Sequence, residues 1–162
     1  MTRTRVALDS CLSERLVGVL NTLYGHNGFE FLHVGNLVPP KTKDEHWADV
    51  YKTFGGKIVI SGDCKIAYRP HEAVAFIDNG FVCFFPCKGW GDLRGHEQAA
   101  VLVHQWPTMV RWAKENPEPA CWRFSFGGKN GDLRLIDAPM RKLEIPDDVL
   151  EATPRRVAKR KT

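Results

Sequence analysis

The segment Arg5 to Asp9 (RVALD) is a short β-branched and aliphatic run that ends in an acid. Leu12, Leu16, Val19, Leu20 and Leu23 follow it at helical spacing, so the pattern predicts a strand feeding a helix. Gly25 to Gly28 marks the end of that helix, and Phe29 to Val34 (FEFLHV) reads as a second strand. Asn36 to Thr42 holds Pro39 and Pro40, which remove amide donors and restrict their neighbours, so it is expected to be a loop. Lys43 to Phe54 places Trp47, Val50, Tyr51 and Phe54 on one face, predicting an amphipathic helix opened by Thr42 or Asp44 and closed at Gly55 and Gly56. Lys57 to Ser61 (KIVIS) is continuously apolar, as strands covered on both faces of a parallel sheet are. Pro70 to Asn79 then predicts a helix, Phe81 to Phe85 (FVCFF) a buried strand, and Gly89 to Gly95 a loop.

In the second half, Ala99, Val103, Trp106, Val110 and Ala113 define a helix over His96 to Glu115, which Pro107 is expected to kink or divide. Cys121 to Phe126 (CWRFSF) and Asp132 to Asp137 (DLRLID) are alternating runs joined through glycines, the pattern of an appended β-hairpin. Alternating strands and helices over the first 115 residues predict an α/β fold, a mostly parallel sheet with helices on both faces and right-handed crossovers. The expected organisation is an α/β domain over 1–116, a C-terminal hairpin extension packed on it over 117–150, and a disordered basic tail over 151–162.

Composition narrows the class. A chain of 162 residues, 43% hydrophobic and 26% charged, suits one domain with its own core. The longest apolar stretches, such as Gly80 to Pro86, fall far short of the roughly 20 residues of a membrane helix, and Met1 to Arg5 lacks a signal peptide's apolar core. A cytoplasmic protein without membrane segments is expected. Cys11, Cys64, Cys83, Cys87 and Cys121 form an odd set without paired CxxC spacing, which speaks against zinc and for unpaired, mostly buried thiols. The net charge of +4 is concentrated in Pro154 to Thr162, where Arg155, Arg156, Lys159, Arg160 and Lys161 stand without an acid. Such a tail either contacts phosphate backbones or is simply a solvated end.

Candidate chemistry follows from the strand ends, because open α/β sheets gather ligands beyond the carboxyl ends of their strands where the strand order reverses. Asp9 closes the first strand, Asp63 follows the third, and Asp44 with Glu45 opens the helix after the second. Crowded carboxylates repel unless protonated or neutralised by a cation, and oxygen-only ligation favours Mg2+ or Mn2+. A metal-bound water with the cation's charge suits phosphodiester hydrolysis. Each acid also has a plainer reading: Asp44 as a helix cap, Asp63 as a turn former, Asp9 as a cap for a helix beginning at Leu12. Lys65, Arg69 and His71, just downstream of Asp63, are candidates for contact with phosphate and equally for solvated surface. Glu72 is a candidate fourth carboxylate or an exposed helical position. Trp106, Trp112 and Trp122 read as core or partner contacts, whereas Trp90, between two glycines, is expected to be exposed and available to RNA or a partner. No GxGxxG or GxxxxGKS follows a strand, so a nucleotide-binding α/β enzyme is remote.

The order Asp9-Ser10-Cys11-Leu12-Ser13-Glu14-Arg15-Leu16, His33-Val34 before a loop, Asp44-Glu45-His46-Trp47, and Ile58-Val59-Ile60-Ser61-Gly62-Asp63 resembles the PIN-like domains. It is closest in pattern to their toxin-type branch, related to VapC toxins. The likeness runs from about Arg5 to Pro86 and loosely on through Trp106. It implies a three-layer, Rossmann-like α/β/α sandwich and a Mg2+- or Mn2+-dependent endoribonuclease, commonly the toxin of a toxin–antitoxin pair. Its partners would be an RNA substrate, a cognate antitoxin and, in a homodimer, a second copy. By position the resemblance implies Asp9, Asp44 or Glu45, and Asp63 as metal-site acids, with Glu72 as an additional catalytic carboxylate. Related chains often follow the first Asp with a polar or acidic residue and Asn, whereas Ser10 and Cys11 stand here. That departure implies the alternative of a catalytically weak or inactive module that binds nucleic acid or protein.

Overall fold

The computed structural model describes residues 3–126 and 133–136, the side chains of Glu45 and Ala67 apart. Six strands form one sheet in the order β2-β1-β3-β4-β5-β6. They are β1 (Thr4–Leu8), β2 (Phe29–His33), β3 (Ile58–Ile60), β4 (Val82–Pro86), β5 (Ala120–Phe124) and β6 (Arg134–Leu135). The first five pair in parallel, and β6 alone runs antiparallel to its neighbour. The helices are α1 (Glu14–Tyr24), α2 (Asp44–Thr53), α3 (Pro70–Asp78) and α4 (Gly95–Glu115).

Two buried clusters explain why strands so uniformly apolar are stable. Side chains alternate across a strand, so Val6, Leu8, Ile58, Ile60, Val82 and Phe84 face one side and pack with Leu16 and Leu20 of α1 and Leu102, Trp106 and Met109 of α4. Ala7, Val59, Cys83 and Phe85 face the other and pack with Trp47, Ala48 and Tyr51 of α2 and Ala73 and Phe76 of α3. The result is a three-layer α/β/α sandwich, as the apolar pattern predicts.

Tyr51 ties α2 to the sheet: its hydroxyl lies 2.7 Å from the carbonyl oxygens of both Arg5 and Ile58. The ring needs Gly56 beneath it, since a Cβ there would stand 2.3 Å from the ring. Pro107 does not divide α4, which runs unbroken from Gly95 to Glu115. A proline has no N–H to offer the carbonyl four residues back, and the Tyr24 hydroxyl donates to that Val103 oxygen at 2.7 Å instead.

Three expectations need correction. The run read as the first strand of an appended hairpin is the fifth parallel strand of the main sheet, in register with β4 from Val82↔Ala120 to Pro86↔Phe124, and only then pairs antiparallel with β6. Trp90 is buried at 2% exposure, its ring edge-on to Phe124 and Phe126 at 5.6 and 5.8 Å. The thiols are unpaired as expected, but only Cys83 and Cys121 of the five are buried. The residues linking β5 to β6 and those after Ile136, including the basic tail, lie outside the described residues. Among the described residues no helix is long and apolar enough to cross a membrane.

Candidate functional site

The parallel strand order reverses between β1 and β3: the chain leaves β1 toward β2 on one side and returns past it to β3 on the other. The loops leaving β1 and β3 therefore diverge and open a crevice at their carboxyl ends. Asp9 and Ser61 both continue the ladder, Asp9 N–H donating to Ile60 O and Ser61 N–H to Phe84 O, each at 3.0 Å, which brings Asp9 into the crevice. The crevice is a cleft of about 430 Å3 lined by Asp9, Cys11, Asp44, Asp63, Lys65 and Arg69, with Ser10, Gly62 and Cys64 completing the wall.

Asp9 is buried at 7% exposure. Its Oδ2 accepts from the Ser61 hydroxyl at 2.9 Å and its Oδ1 from the Ser10 N–H, and these bonds offset the loss of solvent. It does not cap α1, which starts at Glu14 with Ser13 as its N-cap. The turn between them is held by Leu12 N–H donating to Asp9 O at 2.9 Å, and by His33 Nε2 at 2.7 Å from Leu12 O. His33 Nδ1 accepts from Gly35 N–H at 3.0 Å, so the proton sits on Nε2 and the ring donates to Leu12.

Asp44 is the first residue of α2, whose N-cap is Lys43, and its carboxylate makes no cap. Instead its Oδ1 accepts from the Trp47 indole N–H at 2.9 Å. Burial raises the Asp44 pKa above the ordinary carboxylate value; the indole bond opposes this, the charges of Asp9 and Asp63 add to it, and Arg69 relieves it. Three acids distant in sequence thus feel one another across the cleft.

Asp63 combines a turn role with a cleft role. Its Oδ1 accepts from Lys65 N–H at 2.8 Å, closing an Asx turn, and its Oδ2 accepts from Arg69 Nη1 at 2.9 Å. The same Nη1 lies 3.7 Å from Glu72 Oε2. Lys65 is exposed at the cleft rim. His71, expected beside the phosphate, is exposed on α3 and is not among the residues that line the cleft. Glu72 reaches the site through Arg69, and the side chain of Glu45 lies outside the described residues.

The sequence marks Cys11 only as a departure from the family pattern and Ser61 only as a strand-end residue, and assigns neither of them its contacts beside the acids. Ser61 is fully buried and its hydroxyl also accepts from Asp63 N–H at 3.0 Å, so it joins both acids. The Cys11 residue is exposed as a whole, yet its sulfur turns inward, 3.2 Å from Gly62 N and 3.6 Å from Ser61 Oγ. Burial of the thiol, and next the charge of Asp9, push its pKa up to about 12, so it is a neutral thiol at neutral pH. Gly62 fits a tight space here: a Cβ would stand 3.0 Å from Trp90 Nε1 and 3.1 Å from Leu12, so these side chains would have to give by a few tenths of an ångström.

Among the described residues no three His, Cys, Asp or Glu side chains are gathered closely enough to cage an ion. The oxygens facing the cleft are spaced carboxylates, a donor set that fits a hard cation keeping several of its waters and held by one or two acids.

Comparison with curated proteins gives no match. A solved structure, the solution structure of a response regulator protein from Burkholderia multivorans, is 14% identical over 90% of this chain and 98% of that one, at a TM-score of 0.32. The model of the PIN like domain matches residues 4–88, the stretch that runs from β1 through β4 and carries every acid of the cleft. The chain belongs to the PIN-like domain family.

Proposed function

We propose that the cleft holds a hydrated Mg2+ or Mn2+ ion and that the protein is an endoribonuclease hydrolysing RNA phosphodiester bonds there. The observation that carries this reading is that Asp9, Asp44 and Asp63, from three separate segments, line one cleft at the β1/β3 switch point with Lys65 and Arg69 beside them. Asp9 and Asp63 are the acids that would hold the ion. The ion supplies an acidified water and offsets charge on the phosphoryl oxygens. Lys65 presents an exposed ammonium to the phosphate, and Asp44 Oδ2, the oxygen the indole leaves open, is the acceptor for a proton from the attacking water. Incubating the protein with RNA, with and without Mg2+ or Mn2+, tests the reading. Cleavage that chelator, Asp9→Asn and Asp63→Asn each abolish supports it, and cleavage indifferent to all three overturns it.

The toxin role extends the same reading and is supported by the order of the Asp9, Asp44 and Asp63 motifs. It predicts growth arrest on expression and a co-purifying antitoxin. Expression without effect on growth, and no co-purifying partner, would remove it. A second reading, a binding module of weak or no turnover, is favoured by the Arg69–Asp63 ion pair and by the Cys11 sulfur on the cleft wall. It predicts RNA binding without cleavage, retained when all three acids are changed to Asn.

A further inference from the structure

Both oxygens of Asp63 are engaged, but not equivalently. Oδ1 closes the turn to Lys65 N, so a ligand that takes it must undo local backbone structure. Oδ2 is bound only to a side chain, the Arg69 guanidinium. Arg69 is itself well placed to let go. Its backbone is fixed between the turn Ile66–Tyr68 and α3, with its N–H on Ile66 O at 2.9 Å and its carbonyl accepting from Ala73 N–H at 3.2 Å. Its side chain is 31% exposed, and the same Nη1 that holds Asp63 already faces Glu72 Oε2 at 3.7 Å. A short swing toward Glu72 keeps the guanidinium paired while uncovering Asp63 Oδ2.

We infer that Arg69 is a built-in counter-ion of the cleft, seated on Asp63 when no divalent cation is present and moved toward Glu72 when one is. This rests on the reading of the cleft as a cation site and adds how the site is regulated. The guanidinium supplies positive charge beside three mutually repelling acids, and its charge lowers the Asp44 pKa that Asp9 and Asp63 raise. The same charge must leave Asp63 before the ion is held, because two cations on one carboxylate repel. Cation affinity is therefore set partly by an internal competitor, and Glu72 matters as the alternative seat.

The test is calorimetric titration of the full chain with MnCl2. Arg69→Gln should bind Mn2+ more tightly than the unaltered chain, by roughly three- to fivefold, the scale of one partly exposed ion pair, while its metal-free melting temperature falls. Glu72→Gln should bind more weakly. Equal or weaker binding by Arg69→Gln, with the unaltered chain binding normally, overturns the inference and leaves the cation site standing. Failure of the unaltered chain and of both variants to bind overturns both. Should Arg69→Gln not fold, the side-chain nitrogen resonances of Arg69 in the unaltered chain decide: they shift as Mg2+ saturates the site if the guanidinium moves, and their constancy at saturation refutes the swing.

Discussion

The Ser61 hydroxyl donates to Asp9 Oδ2 at 2.9 Å and accepts from the backbone N–H of Asp63 at 3.0 Å, so one fully buried oxygen joins the loops that leave β1 and β3. Ser61→Ala removes the donor to a carboxylate only 7% exposed, and an unsatisfied buried acceptor costs about 1–3 kcal/mol. Urea unfolding should show that loss at neutral pH. Ser61→Ala should also weaken Mn2+ binding, and unchanged binding would show that the hydroxyl serves the fold alone.

Asp44 should make the metal-free protein less stable as pH rises. Its pKa in the folded protein is raised, chiefly by burial. Between the ordinary carboxylate pKa and that raised value the folded chain binds more protons than the unfolded one, so stability falls as pH climbs through this window and stays reduced above it. Asp44→Asn keeps an acceptor for the Trp47 indole and removes the charge. Chemical denaturation across the acid range should find the variant more stable at neutral pH and less sensitive to pH just above the carboxylate range. A variant less stable than the parent at neutral pH would contradict the assignment.

Gly56→Ala should be severe for a position on the surface turn after α2. A Cβ at 2.3 Å from the Tyr51 ring forces the ring off the two carbonyls it spans, and overpacking of this kind costs about 1–3 kcal/mol. The melting temperature should fall by several degrees. A variant as stable as the parent would show that α2 shifts at no cost.

Much of this architecture is legible in the chain because the signals are local. The runs of β3, β4 and the Val6–Leu8 part of β1 are apolar at every position, which marks strands covered on both faces, and the spacing of Leu16 and Leu20 or Trp47 and Tyr51 marks the helices that cover them. Asp9 and Asp63 are legible as acids at the ends of strands for the same reason, since each follows such a run, and the structure brings both to one cleft. What the sequence hides is non-local. Arg123 and Ser125 interrupt the apolar residues around them, so this stretch reads like a solvent-facing hairpin strand, and the parallel pairing of β5 with β4 spans more than thirty residues. Trp90 looks exposed between glycines because its partners, Phe124 and Phe126, come from the far side of α4. His71 sits two residues from Arg69, yet lies on the exposed side of α3, where helical rotation takes it off the cleft. The Trp47–Asp44 and Arg69–Asp63 contacts depend on side-chain rotamers and leave no signature in spacing.

Anomalous diffraction at the manganese edge from crystals soaked in Mn2+ tests the central claim most directly. The account predicts one strong peak in the cleft, within ligand distance of an oxygen of Asp9 or Asp63, with Arg69 turned toward Glu72. A cleft without anomalous density at saturating Mn2+, with Arg69 still seated on Asp63, would contradict it.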